Sequence, residues 1–167
     1  MTTANFPIAS YIGSYAFYGC TNLTTADFPN ANYIGDSAFY SCTNLTTASF
    51  PNAYSIAYSA FAYCTNLTTV SFPNANSIGA YAFAYCSSLT TASFPSANYI
   101  GAYAFYSCYN LTSIYFTYYS VPYLEDPNAF YDIAPSYRIY VAESLYSQYI
   151  VASKWNMISS HITSYIS

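Results

Sequence analysis

Six positions in each 22-residue segment of this chain carry a small and chemically restricted set of side chains. In the segment that begins at Leu23 they are residues 32, 33, 36, 37, 40 and 41. Across five copies these thirty positions hold thirteen Tyr, eight Ser, four Ala, three Asn, one Asp and one Gly. Tyrosine offers a large amphipathic contact at low entropic cost, and small residues leave room for it, as in antibody paratopes. The pattern predicts noncovalent recognition.

The candidate ligand-binding residues are the tyrosines and the single acid of these columns from the second copy onward. They are Tyr33, Asp36, Tyr40, Tyr54, Tyr58, Tyr63, Tyr81, Tyr85, Tyr99, Tyr103 and Tyr106. The expected anchors are Tyr58, Tyr63, Tyr81, Tyr85, Tyr103 and Tyr106. Two other interpretations stay open: a hydroxyl-rich surface without a ligand, and binding by the opposite face, which carries small residues such as Thr25, Thr47 and Ser49.

Neither catalysis nor a bound cofactor is expected. The six acids, Asp27, Asp36, Glu125, Asp126, Asp132 and Glu143, show no repeated pairing, and His161 has no evident nucleophile beside it. The five cysteines share one column of the repeat, which predicts a buried ladder of free thiols, although a strained bridge between neighbours stays open. With one histidine in the chain, no metal site is predicted.

Charge and hydropathy exclude two classes of partner. The net charge is -4 and only 5% of residues are charged, so there is no basic stripe for a nucleic acid. No apolar run approaches the roughly 18 residues of a membrane helix, so membrane insertion is not expected.

The elements that must position the tyrosines follow from the fixed letters of the repeat. The pattern Leu23, Ala26, Phe28 predicts a short strand with one buried face, ended by Pro29. The buried spacing of Ala38, Phe39 and Cys42 then predicts one helical turn. Gly35 permits a close backbone approach, and since Ala57 replaces it one copy later, a positive φ is not expected there.

A fixed period of this length predicts a solenoid. Coils are expected to begin at residues 1, 23, 45, 67, 89 and 111, which makes 1–116 the repeat region and 117–167 a degenerate last coil and a cap. The cap is predicted to contain a strand at 138–141, a helix capped by Ser144, and a second apolar helical face at Trp155, Ile158 and Ile162. The first coil has no lid, so it frays or pairs with another chain, which would give a homo-oligomer.

The unit L-T-T-A-x-F-P-N-A-x-x-I-G-x-x-A-F-x-x-C-T-N, repeated over residues 1 to about 116, resembles the BspA-like, or Treponema-type, bacterial leucine-rich repeat. The tail from Arg138 to Asn156 resembles the closing segment of such proteins, although the order Lys154-Trp155-Asn156 departs from it. The resemblance implies an α/β, right-handed solenoid with short parallel strands on one face, helical turns on the other and a C-terminal strand-helix cap.

The family resemblance also implies a function. It implies adhesion to, or recognition of, a protein or a cell-surface glycan without catalysis. It implies a place on a cell or virion surface, or secretion, although Met1 leads into the repeat with no basic segment before it. The alternative is a structural or self-associating protein. Natural hypermutation and a laboratory binder library both fit the restricted columns.

Overall fold

The chain winds into coils whose short strands stack in two parallel lines, in a computed structural model that describes residues 1–116 and 120–165. The first line consists of β1 (Thr3–Asn5), β3 (Thr25–Asp27), β5 (Thr47–Ser49), β7 (Thr69–Ser71), β9 (Thr91–Ser93), β11 (Ser113–Phe116), β13 (Arg138–Ala142) and β14 (Ile162–Tyr165). The second consists of β2 (Tyr11–Ile12), β4 (Tyr33–Ile34), β6 (Ser55–Ile56), β8 (Ser77–Ile78), β10 (Tyr99–Ile100) and β12 (Tyr123–Leu124). Residues 117–119 and 166–167 of the expected last coil and cap lie outside the described residues.

Pairing places equivalent residues of successive coils side by side. Thr25 pairs with Thr47, and Tyr33 pairs with Ser55, both in parallel register. The second line is one sheet of six strands, whereas the first line is divided into β1-β3-β5 and β7-β9-β11-β13-β14. Because neighbouring strands lie about 4.8 Å apart, a side chain repeated every 22 residues stacks on its own copies.

The core is a set of such ladders. Leu23, Phe28, Ile34 and Phe39 and their equivalents in the next three coils are at most 2% exposed. Ring centroids of Phe39 and Phe61 are 5.1 Å apart at an interplanar angle of 4°. Each large apolar side chain contributes about 1.5 to 3 kcal/mol when buried, and only adjacent coils provide that burial. Stability therefore depends on stacking several coils.

The segment that closes each coil, residues 35–42 in the second, is a chain of tight turns rather than a regular helix. Ser37 and Ser41 have φ values of 52° and 57°. Backbone N–H groups of Ala38 and Tyr40 donate three residues back, to Gly35 and Ser37 at 3.1 and 3.2 Å. Those of residues 37, 39 and 41 donate to the next coil at 2.7 to 2.8 Å. Alternating bonds satisfy every N–H from residue 37 to residue 42.

Glycine and cysteine occupy close-packed positions in the coils, although Ala57 replaces the glycine in the third. A Cβ on Gly35 would lie 2.6 Å from the backbone nitrogen of Ser14, so close approach and not a positive φ requires glycine there, as predicted. All five cysteines are free, and the four from Cys42 onward are buried, which confirms the thiol ladder. The Sγ of Cys42 donates to the carbonyl of Phe17 at 3.1 Å, and burial raises the pKa of Cys42 to about 12.

The cap covers the C-terminal end but differs in detail from the prediction. Helix α1 (Glu143–Tyr149) starts after Ala142, so the assignment of Ser144 as its N-cap is wrong. Trp155 begins a 3₁₀ helix (Trp155–His161), whereas Ile162 pairs with Ile139 in β14; the predicted second helical face is therefore wrong. Residues 162–165 are extended and not helical because they pair in parallel with β13. The Nε1 of buried Trp155 donates to the Pro122 carbonyl at 2.8 Å.

Candidate functional site

One tyrosine from each of six successive coils joins a continuous stack on the outside of the turn segments. This tyrosine ladder comprises Tyr18, Tyr40, Tyr63, Tyr85, Tyr106 and Tyr131, with successive ring centroids 5.0, 5.2, 4.4, 5.2 and 5.9 Å apart. Four of these distances fall in the range of favourable aromatic contacts, about 4.5 to 7 Å, and the Tyr63–Tyr85 distance lies at its lower edge. The ladder is therefore an ordered feature of the surface.

The interplanar angle between two neighbouring rings of the ladder depends on whether they occupy the same column of the repeat. Tyr63 and Tyr85 share a column and stack at 13°, because one coil translation relates them. Tyr40 lies one column earlier and meets Tyr63 at 55°. In the coils where column 41 holds Tyr63 or Tyr85, column 40 holds an alanine, Ala62 or Ala84. Each coil thus supplies one ring and one small neighbour, a coupling visible in the sequence but not predicted from it.

A second, shorter stack runs beside the tyrosine ladder. Tyr58 meets Tyr81 at 5.9 Å in an edge-to-face arrangement, and Tyr81 stacks on Tyr103 at 5.0 Å and 13°. Tyr103 then meets Tyr106 edge to face at 5.7 Å, which joins the two stacks at one end. All five tyrosines of the predicted anchor set from Tyr63 to Tyr106 thus form one aromatic cluster with Tyr58.

The two stacks enclose a cleft of about 190 Å³, called here the tyrosine cleft. Ala62, Ala84 and Ser59 are 2%, 1% and 5% exposed and lie between the stacks as its floor. Its remaining lining residues are Tyr40, Tyr58, Tyr63, Tyr81 and Tyr85. The small residues therefore create a recess that could not form if every column carried tyrosine.

A second recess of about 280 Å³ extends the surface toward the cap. It is lined by Tyr103, Tyr106, Asn128 and Tyr131. Tyr131 was not among the predicted site residues, although Ala129-Phe130 before it repeats the Ala38-Phe39 pair and could have placed it. Tyr11, Tyr15, Tyr18 and Tyr123 also extend the aromatic surface, and the first three occupy the same columns one coil earlier.

Half of the residues at the strained turn positions are tyrosine. In five coils, columns 37 and 41 have φ between 52° and 67°, and they hold five Tyr, four Ser and one Gly. For a non-glycine residue this region is uncommon and costs about 1 to 2 kcal/mol. Glycine or asparagine would fit more easily. Local backbone preference therefore does not account for tyrosine at these positions.

Three phenols beside the tyrosine cleft, those of Tyr40, Tyr81 and Tyr85, have raised pKa values. Burial against neighbouring rings, together with the nearby hydroxyls of Tyr63 and Tyr106, raises the pKa of Tyr85 to about 12. Burial also raises the pKa of Tyr40 and of Tyr81. At neutral pH each phenol can both donate and accept a hydrogen bond.

The remaining predicted residues lie around this cluster with different environments. Asp36 is exposed, and its Oδ1 accepts from the backbone N–H of Tyr58 at 3.1 Å. Tyr33 stacks on Tyr11 at 4.9 Å. Tyr99 donates to Glu125 at 2.8 Å and stacks on Tyr123 at 5.9 Å. Tyr54 is 58% exposed and pairs with no ring in the part of the chain that the structure describes.

Several serines of columns 37 and 41 are buried, contrary to what the predicted helical turn implies. Ser37, Ser59 and Ser107 are 7%, 5% and 1% exposed. In a regular helical turn, residues four apart share an outer face, so both columns would point to the solvent. The positive φ values of the turns place these serines between coils, whereas the longer tyrosines of the same columns form the stacks on the surface.

The opposite, strand face offers a more polar groove. A depression of about 390 Å³ lies between β5 and β7 and is lined mainly by Thr46, Thr47, Ser49, Thr69 and Ser71. Within residues 1–116 and 120–165, no group of three or more His, Cys, Asp or Glu is placed to hold a metal ion. His161 stacks on Tyr137 at 3.9 Å in the cap.

The repeat geometry matches a known protein family. The family model described as BspA type leucine rich repeat region matches six copies, over residues 1–112 and 54–156. The chain belongs to the BspA-type leucine-rich repeat family. This confirms both the resemblance and the expected fold class. Proteins with BspA-type repeats are in general involved in recognition or adhesion, and leucine-rich repeat proteins are typically non-enzymatic.

Solved structures support the assignment to the BspA-type family. A Treponema pallidum leucine-rich repeat protein is 30% identical with a TM-score of 0.66, over 68% of this chain and 58% of its own. A leucine-rich cell surface protein from Faecalibacterium prausnitzii is 26% identical with a TM-score of 0.62, over 98% of this chain and 39% of its own. The pneumococcal vaccine antigen PcpA, 14% identical with a TM-score of 0.67, shares the fold.

The chain thus spans less than two thirds of the length of these BspA-type and related proteins. A comparison with curated proteins finds no match. None of the helices in the described ranges combines the length and apolar character that crossing a membrane requires.

Proposed function

We propose that the chain is a non-catalytic recognition protein that binds a protein or glycan through the tyrosine surface. The observation that carries this proposal is the presence of tyrosine at half of the positive-φ positions of columns 37 and 41, where the backbone favours smaller residues. A residue type that conflicts with the local backbone preference indicates a role outside the fold itself. The tyrosines flank recesses rather than fill the core, which suits contact with a partner.

The distribution of ring and small residue supports the same function. Tyrosines supply rigid contact area, and Ala62, Ala84 and Ser59 open the tyrosine cleft between them. Aromatic residues at such recesses commonly dominate interface energies. By comparison, the strand-face groove is lined by small hydroxyls that water also satisfies, so it is the weaker candidate.

The proposed place of action is outside the cell or on a surface. One relative, 26% identical, is a leucine-rich cell surface protein, and family membership supports a similar position for this chain on a cell or virion surface, or as a secreted protein.

The test is a screen of the full chain against a display library of cell-surface proteins and a glycan array. The double variant Tyr63→Ser/Tyr85→Ser should lose binding to any ligand found. Serine is chosen because Ser41 and Ser107 occupy the same column with φ of 57° and 55°. We expect at least a hundredfold loss, or about 2.7 kcal/mol, as for a pair of hot-spot residues.

The matched control is Thr47→Ala/Thr69→Ala on the opposite face, where both threonines are exposed. It should leave binding unchanged, and urea denaturation should show both variants folded. The proposal fails if the strand-face variant loses binding and the tyrosine variant keeps it, or if the full chain binds nothing in either screen.

Self-association through the first coil is a second candidate function. Within this chain β1 and β2 are edge strands, Ile8 is 94% exposed and Phe6 is 41% exposed. An apolar recess of about 170 Å³ beside them includes Phe17 and Phe28. If coils of two copies pair there, light scattering should give twice the chain mass, and Ile8→Lys should return it to the mass of one chain. A single-chain mass for the unmodified protein would contradict this candidate.

A further inference from the structure

We infer that the tyrosine cleft receives an arginine side chain of a protein partner, with its guanidinium group between Asp36 and the ring of Tyr58. This inference rests on the proposed function and narrows it from any macromolecule to a protein with an exposed basic residue. It depends on the shape of the cleft, on which ring faces are free, and on the distribution of charge.

The dimensions and floor of the cleft suit one long side chain. About 190 Å³ is available above the methyl groups of Ala62 and Ala84. The three methylene groups of an arginine can lie on such an apolar floor while the charged end stays at the rim. Phenol oxygens around the cleft can accept from the five N–H donors of a guanidinium.

Most ring faces in the cleft are already covered. Tyr63 has Tyr40 at 5.2 Å on one side and Tyr85 at 4.4 Å on the other. Tyr85 lies between Tyr63 and Tyr106, the latter at 5.2 Å. A sugar ring that stacks on tyrosine needs a free aromatic face. The long wall of the cleft offers ring edges and hydroxyls instead, which disfavours a glycan in this place.

Tyr58 is the exception among the cleft tyrosines. It is 54% exposed, and Tyr81 is its one ring neighbour among the described residues. A planar guanidinium can lie over such a face as a cation–π contact. The carboxylate of Asp36 is adjacent, since its Oδ1 accepts from the backbone nitrogen of Tyr58. A carboxylate is therefore held beside the backbone of the residue that carries the freest ring, just outside the lining of the cleft.

The net negative charge of the chain favours a basic side chain of the partner over an acidic one. The net charge is -4, and the chain contains two Lys or Arg residues. Both lie in the cap, where Arg138 donates to the Tyr137 carbonyl at 2.9 Å and Lys154 to the Glu125 carbonyl. Neither of these two side chains bonds to Asp36 in the described part of the chain, and an acidic partner group would be repelled.

The experiment follows the alanine methyl groups of the cleft floor by NMR in the full chain labelled with ¹³C-methyl alanine. The probes are N-acetyl-arginine, N-acetyl-leucine and N-acetyl-glutamate methylamides and methyl β-glucoside. The arginine probe should shift the Ala62 and Ala84 resonances in a saturable way, with an affinity about fivefold or more above that of the leucine probe. The glutamate probe and the glycoside should produce no saturable shift.

Asp36→Asn tests the charge contact directly. Asparagine keeps an oxygen that can accept from the Tyr58 N–H, so the turn is conserved while the charge is lost. The arginine affinity should fall about two- to fivefold, as expected for an exposed ion pair. The matched control is Asp27→Asn on β3 of the opposite face, which should leave the titration unchanged.

Several results would overturn the inference: a leucine or glycoside response equal to that of arginine, an arginine affinity unaffected by Asp36→Asn, or no response of the two methyl groups. Failure of the proposed function is distinguishable, because it concerns macromolecular ligands in the display and glycan screens. A cleft that binds the arginine probe selectively supports the inference even when those screens yield no ligand.

Discussion

Tyr63 and Tyr85 both have φ of 61°, a backbone conformation that strongly disfavours β-branched residues. This accounts for the absence of Val, Ile and Thr from two of the six restricted columns, those of residues 37 and 41. The other four columns include strand positions such as Tyr33, where β-branched residues fit well. Their restricted composition therefore has no explanation in the backbone, and it supports a binding surface independently of the tyrosines at positive φ.

The hydroxyl of Tyr149 provides a test at the scale of one atom. Tyr149 is fully buried against Trp155, and its hydroxyl has no hydrogen-bond partner within the described ranges. Burying an unpaired hydroxyl costs about 1 to 3 kcal/mol, so Tyr149→Phe should leave the free energy of unfolding unchanged or raise it by about 1 kcal/mol. Tyr149→Ala, the control, should lower it by about 3 to 5 kcal/mol in urea denaturation. A clear loss of stability in the Phe variant would reveal a partner for the hydroxyl.

Glu125 makes stability depend on pH. The backbone N–H of Ala102 and the hydroxyl of Tyr99, both at 2.8 Å, lower the pKa of Glu125 from its ordinary value of 4.5. A carboxyl with a lowered pKa stabilises the fold above that ordinary value, and the contribution is lost as pH falls through the folded pKa. Between about pH 5 and pH 3, Tm should therefore fall more steeply for the natural chain than for Glu125→Gln. Parallel Tm curves by circular dichroism would contradict this role.

At the scale of elements, the first line of strands is interrupted between β5 and β7, while the second line is continuous. Phe28 donates its backbone N–H to Ser49 at 3.0 Å, but the equivalent N–H of Phe50 has no backbone partner among the described residues. Val70 is bulkier than the alanines in the neighbouring strands, yet Ile114 is bulkier still and β11 pairs on both sides. No residue in the two strands explains the interruption.

Hydrogen exchange should detect this interruption. The amides of Phe50 and Thr68 are expected to exchange about tenfold or more faster than their equivalents Phe28 and Thr90, because unbonded amides open without breaking the sheet. The Thr90 N–H donates to Thr68 at 2.8 Å and serves as an internal control. Equal protection at all four amides would mean that β5 and β7 pair in solution.

At the scale of the whole molecule, each coil is stabilised only by its neighbours, so the position of a residue along the solenoid determines what its loss costs. Phe61 is fully buried and stacks between Phe39 and Phe83 at 5.1 and 5.3 Å. Phe17, the equivalent residue of the first coil, is half-buried. Among the residues that the structure describes, it stacks on the next ring of the same column on one side only, with the centroid of Phe39 at 5.0 Å.

Truncating the two rings tests this dependence. Phe61→Ala should lower the free energy of unfolding by about 3 to 5 kcal/mol, whereas Phe17→Ala should lower it by about 1 to 2 kcal/mol because less apolar area is lost. Urea denaturation of both variants measures the difference. Equal losses would show that the first coil is as tightly packed as the centre.

Much of the architecture could be predicted because translation by one coil is the dominant structural rule. A residue type repeated every 22 positions must stack on itself, so the Leu, Phe, Ile and Cys columns identify the core and the Tyr and Ser columns identify a surface. The same rule places Tyr63 beside Tyr85 and Tyr81 beside Tyr103. Which of these residues contact a ligand stays a prediction.

The sequence by itself determined the repeat register, the buried ladders and the family. Only the tertiary structure decided the course of the turn segments, because the N–H groups of residues 37, 39 and 41 bond to the next coil, outside any local window. The spacing of Ala38, Phe39 and Cys42 fits a helical turn equally well, so local periodicity could not distinguish the two. That non-local bonding produces the positive φ values, buries Ser37 and Ser59, and places the tyrosine stacks on either side of a cleft.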